Sequence, residues 1–123
     1  MDEALVLRYN GIIDLAEEIR RRLQHEVDKL GFDESEVSLK SPTDAHYRLE
    51  KDPASCEYSL VGDWRDTAGF KMGTLLFHAD GSFFVEHDVV KPHPSNKRWF
   101  VEAVNAWGRG TEIKAEARLL PVV

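Results

Sequence analysis

One apolar stripe near the N-terminus constrains this chain more than any other feature. Leu5, Tyr9, Ile12, Ala16, Ile19, Leu23, Val27 and Leu30 follow one another at steps of three or four. At about 100° per residue all eight fall within an arc of roughly 80°, the pattern of a helix with one buried face. Ile13 and Val6 widen that face, and Glu3, Asp14, Glu17, Arg21, His25 and Asp28 take the opposite one. Glu17–Arg21 and Glu18–Arg22 are acid-before-base pairs four residues apart, each adding about 0.2–0.5 kcal/mol to a helix. Asn10-Gly11 is the weak point, because an interior glycine costs about 1 kcal/mol against alanine. Gly31 supplies the stop. The stripe predicts a helix over residues 2–30. Its steps approach a heptad, yet it drifts little at 3.6 residues per turn, and Glu26 stands where a coiled-coil seam needs an apolar residue. A straight helix laid on a sheet is the better reading.

Residues 32–44 are polar and turn-rich, with Ser41-Pro42-Thr43 as a breaker. They read as a surface connection with room for a short strand at Val37–Leu39. Beyond them the period changes to two. Ala45, Tyr47 and Leu49 alternate with polar residues, and Cys56, Tyr58 and Leu60 do so again after the Asp52-Pro53-Ala54-Ser55 turn. Gly62 to Gly69 reads as a longer loop carrying Trp64, Arg65 and Asp66. Phe70–His78 and Ser82–Val90 form a second hairpin around Asp80-Gly81. With those two residues central, His78 faces Phe83, and Leu75, Phe77 and Phe84 share one side of the sheet. That side must then be covered by a helix or by a second copy of the chain.

Lys91-Pro92-His93-Pro94 ends the strand. Ser95 suits an N-cap, and Trp99, Phe100, Ala103, Val104 and Trp107 follow at helical spacing up to Gly108. Ile113, Ala115, Ala117 and Leu119 then alternate with charged residues until Pro121. The predicted order is α-β-β-β-β-α-β. It is an α+β fold in one domain over 1–123, with the sheet and second helix in 45–120. Acidic helix, antiparallel sheet and closing helix together resemble the frataxin arrangement, apart from the strand after the second helix and without a shared sequence motif.

Charge and composition narrow the function classes. The net charge is −6, which repels nucleic-acid phosphates. Residues 1–36 carry ten acidic against five basic residues, whereas Lys91 to Arg118 carries six basic against three acidic. The acidic Met1-Asp2-Glu3 start does not fit a signal peptide, and no apolar run approaches the roughly 20 residues that span a bilayer. A single Cys56 suits a reducing compartment. A cytoplasmic domain without nucleic-acid or membrane partners is expected.

Each chemistry-bearing residue also has a plain structural role. His87 and His93 near Glu86 and Asp88 match no zinc-ligand spacing, and Glu86 and Asp88 alternate away from His87. A structural histidine and no metal are expected. Cys56 lacks a helix N-terminus or glycine elbow to lower its pKa, so it reads as a small buried hydrophobe. Arg20-Arg21-Arg22 wraps several sides of a helix among Glu17, Glu18 and Glu26, so it reads as a solvated surface. Neither GxxxxGK nor GxGxxG occurs, and no cofactor is implied. Trp64 beside Arg65 in a polar loop is the residue type of interface hot spots, or else it folds over a sheet edge. The leading expectation is a non-enzymatic interaction module meeting a basic protein partner or a second copy through Trp64, Arg65, Leu75, Phe77 and Phe84. The alternative is a small-ligand or metal-binding domain, enzymatic or not, with a pocket near Thr74, His87 and Trp99.

Overall fold

The N-terminal stripe forms helix α1, Glu3–Lys29, running unbroken through Asn10-Gly11. Ala16, Ile19, Leu23 and Val27 are fully buried along it, and Leu5, Ile12, Leu15 and Leu30 pack at the margins. The structure is a computed structural model and describes residues 3–32, 37–94 and 98–121. Six strands follow: β1 (His46–Lys51), β2 (Tyr58–Arg65), β3 (Lys71–Phe77), β4 (Ser82–Pro92), β5 (Trp99–Arg109) and β6 (Glu112–Pro121). They form one antiparallel sheet in sequence order β1-β2-β3-β4-β5-β6. Each strand pairs with the next, as short connections favour. The helix lies across one face of this meander. None of the described helices is long and apolar enough to cross a membrane.

Cross-strand pairing sorts the side chains. Towards α1 point Tyr47 and Leu49 of β1, Leu60 and Trp64 of β2, and Leu75 and Phe77 of β3. Phe83, Val85, His87 and Val89 of β4, Val101, Val104 and Ala106 of β5, and the Ile113–Leu119 alternation of β6 complete that core. Two glycines make room for aromatic rings within it. A Cβ on Gly62 would stand 2.7 Å from the Tyr47 ring, and one on Gly73 would stand 2.8 Å from Trp64. Tyr47 Oη donates to the Pro42 carbonyl (2.7 Å), and Trp64 Nε1 donates to the Ser41 carbonyl (2.9 Å). Two consecutive carbonyls thus fix both aromatics, at a short 3-10 turn over Pro42–Asp44.

Residues 37–39 form no strand. Instead the buried Gln24 carboxamide donates to the Val37 carbonyl (3.0 Å) and accepts from the Leu39 N–H (3.1 Å), doing for this segment what a neighbouring strand's peptide group does. Val37 and Leu39 are buried, so the 32–44 connection is partly core rather than purely surface.

Four expectations are corrected. The second helix is replaced by strand β5 over Trp99–Arg109, and its expected cap Ser95 lies with residues 96 and 97 outside the described residues. The frataxin-like closing helix goes with it. A bulge between Val101 and Ala103 puts Val101 and Val104 on the same face three residues apart, which imitates helical spacing. Central strands also carry apolar residues on both faces, so alternation fades.

The β3–β4 register is shifted by one from the expected pairing: Phe77 opposes Phe83, and Leu76 opposes Phe84. Ala79-Asp80-Gly81 is a three-residue turn, with Gly81 at φ 90° and His78 N–H bonded to the Ser82 carbonyl (2.9 Å). This loop type places its glycine in the left-handed region and adds the residue that shifts the pairing. Trp64 stands in β2, not in a loop, and is 2% exposed. Cys56 is exposed in the β1–β2 turn at φ 60°, not buried in a strand.

Candidate functional site

The face of the sheet away from α1 carries two unlike rows. Pairing joins Arg48, Val61, Leu76, Phe84, Trp107 and Lys114 into one line across all six strands. Its middle is four adjacent apolar side chains capped at each end by a cation. Phe84 is 38% exposed and Trp107 37%, high for large apolar residues.

The neighbouring row runs His46, Asp63, Thr74, Glu86, Asn105, Glu116. It is rich in acceptors. Asp63 is held by Arg48 (3.5 Å) and Arg65 (3.3 Å). Glu86 has no such cation at contact distance among the described residues, and burial pushes its carboxyl above the usual range. The nearby charge of Asp88 adds to that rise, and Arg118 pulls partly against it. Arg118 is itself engaged by Glu102 at 2.8 Å. Beside Glu86, Asn105 is 6% exposed, and its Oδ1 has no hydrogen-bond partner among the described residues. The row therefore sets the Glu86 carboxyl, only partly offset by Arg118, next to an apolar strip. Such a surface suits a cation carried on an apolar scaffold.

A second feature lies on the helix side. A cavity of about 490 Å³ opens between residues 37–40 and the sheet, lined by Val37, Leu39, Met72, His87, Val89 and Lys91 among others. His87 is 4% exposed, and its ring stacks on the Trp64 indole with centroids 4.3 Å apart. Neither ring nitrogen has a partner of hydrogen-bonding geometry among the described residues. Burial holds its pKa down at about 4, with the Lys40 backbone opposing that shift and Arg20 adding to it. The ring is neutral at pH 7.

A third cleft, of about 400 Å³, lies at the hairpin ends, where Ser59 Oγ and His78 Nδ1 are 2.9 Å apart. Asp80 there bonds the Ser82 amide and hydroxyl and pairs with Arg109, so it is spent on the turn.

The sequence-predicted site residues divide between these places. Leu75 and Phe77 are buried under α1, as is Trp64, so of the five partner-binding candidates only Phe84 and Arg65 are exposed. Covering by a helix, one of the two expected solutions, holds for Leu75 and Phe77. Phe84 points the other way. Of the alternative pocket, Thr74 lies on the open face opposite Glu86, His87 faces the helix, and Trp99 opposes Pro121 at the start of β5. They do not converge. Leu76 and Trp107, which reach the surface, were missed, as was the place of the buried Val61 at the end of the same row. The alternation of Glu86 and Asp88 with His87 was the signal for which β4 face is open. Trp107 was obscured by the bulge in β5.

No metal-holding cluster of three His, Cys, Asp or Glu side chains occurs among the described residues. In comparisons with known proteins, the chain matches no family model, no curated protein and no solved structure.

Proposed function

We propose that this chain is a non-enzymatic protein-interaction module that acts in the cytoplasm through the uncovered face of its sheet. The observation that carries the reading is the Leu76–Phe84–Trp107 strip, which runs over three neighbouring strands with the buried Val61 at its end and is edged by the acceptor row of Glu86 and Asn105. An aromatic strip of this kind is the usual composition of an interface centre. The partner it fits is a protein presenting apolar side chains with an arginine or lysine among them. Its apolar groups seat on Phe84 and Trp107, and its cation meets Glu86 and Asp88. The net charge of −6 steers such a basic partner in.

The experiment is affinity capture from the native host with wild type, Trp107→Ala, Glu86→Arg and His87→Phe, together with sedimentation of the purified chain. One basic protein retained by wild type and His87→Phe but lost from Trp107→Ala and Glu86→Arg supports the reading. Equal capture by all four variants sinks it. A wild-type dimer that Phe84→Glu converts to monomers would assign the face to a second copy instead.

A further inference from the structure

The cavity beside His87 borders a buried ring whose nitrogens have no partner of hydrogen-bonding geometry among the described residues. We propose that it is a binding site for a small uncharged amphiphile: a short apolar body ending in a carboxamide or hydroxyl that bonds the His87 ring. Three observations meet there.

The first is size. About 490 Å³ lies within the range of about 300–1,000 Å³ typical of small-ligand pockets. The second is the lining. Val37, Leu39, Met72 and Val89, from three separate segments, give an apolar part that suits a hydrocarbon body, while Lys40, Asp88 and Lys91 also line the cavity. The third is His87. Buried polar groups are hydrogen-bonded as a rule, and an orphaned one calls for an explanation. His87 is 4% exposed, and neither ring nitrogen has a partner of hydrogen-bonding geometry among the described residues, although the Lys40 backbone lies close enough to bear on the ring's pKa. A neutral imidazole has one donor and one acceptor. A carboxamide or hydroxyl complements both kinds, whereas an ammonium can only donate and would lose its hydration on reaching the buried ring.

The ring is held for this role from the side away from the ligand. Trp64 stacks on it across Gly73, and Trp64 is itself fixed by the Ser41 carbonyl. The opposite wall is residues 37–39, held by Gln24. The nitrogens are shielded from solvent, so contact with them requires one wall to give. Met72 is the wall residue able to do so, being unbranched with three rotatable bonds.

The test uses hexanamide as the probe, hexylammonium as its charged counterpart, and ring 15N resonances of histidine-labelled protein as the readout. Hexanamide is expected to shift the His87 nitrogens and the Trp64 indole N–H saturably, and hexylammonium to leave both unmoved. His87→Phe should weaken hexanamide binding about tenfold, the loss of one buried hydrogen bond. Met72→Trp should abolish binding by filling the cavity while the melting temperature stays near that of wild type. If His87→Phe does not fold, the Met72→Trp comparison stands alone. Three results would overturn the proposal: unmoved His87 nitrogens at the solubility limit of hexanamide, equal affinity in His87→Phe, or undiminished binding by Met72→Trp. None of them bears on the open face, so the two readings fail separately.

Discussion

Trp64 and His87 stack across Gly73, their ring centroids 4.3 Å apart and their planes inclined by 29°. The pairing Trp64↔Gly73↔His87 runs straight across β2, β3 and β4. The missing side chain on the middle strand is what lets an indole reach a histidine two strands away.

Gly73→Ala should therefore be severe. Its Cβ would stand 2.6 Å from the Glu86 carbonyl and 2.8 Å from the Trp64 ring, and neither the strand nor the pinned indole can move aside cheaply. A loss of about 2–4 kcal/mol is expected from overpacking and lost stacking. Gly11→Ala is the control. Nothing lies within 4 Å of the added Cβ there, and helix propensity should raise stability by up to about 1 kcal/mol. Denaturant melts of the two variants that move in the same direction would contradict this packing.

His87 gives the fold an acid-side weakness. Its pKa is lowered from 6.5 to about 4 by burial, so between those values the unfolded chain takes up a proton that the folded chain refuses. Stability then falls as pH falls, by up to about 1.4 kcal/mol per unit and about 3 kcal/mol in all. Glu86, raised by burial and by Asp88, works the other way and favours the folded state at low pH. The clean measurement is the difference between wild type and His87→Phe in urea melts from pH 7 to pH 4. The variant should lose the slope, and parallel curves would show that His87 is not the group responsible.

Phe77 and Phe84 test which face is which. Phe77 is 3% exposed under α1, and Phe84 is 38% exposed on the open face. Phe77→Glu buries an unpaired charge and should prevent folding or remove several kcal/mol. Phe84→Glu should cost no more than about 1.5 kcal/mol and leave circular dichroism unchanged. Similar losses in the two would mean that something covers the open face within the monomer.

Ile19 lies at the centre of the helix–sheet contact with no exposed surface. Ile19→Asp should lower the melting temperature steeply, by the equivalent of several kcal/mol. Asp14→Ala, on the exposed side of the same helix, should stay within about 0.5 kcal/mol. Comparable melting temperatures would refute the way α1 is seated.

Sequence alone determined α1 and β6, because each has one wet face and one dry face and its apolar residues keep a single period. It also determined the antiparallel hairpins, whose turns carry their own residues. It did not determine β5, which carries apolar residues on both faces and whose bulge between Val101 and Ala103 turns a period of two into a step of three. Nor did it determine which side of β3 is buried. Leu75, Leu76 and Phe77 are all apolar, so only the extra residue in the Ala79–Gly81 turn chose between them. Both candidate sites follow from that choice. One residue of register sends Leu75 and Phe77 beneath the helix and lines Leu76 up with Phe84 and Trp107 on the open face. The unpartnered ring of His87 was likewise invisible along the chain. A histidine's burial and its lost hydrogen bonds depend on Trp64, Gly73 and residues 37–40, which only tertiary packing brings to it.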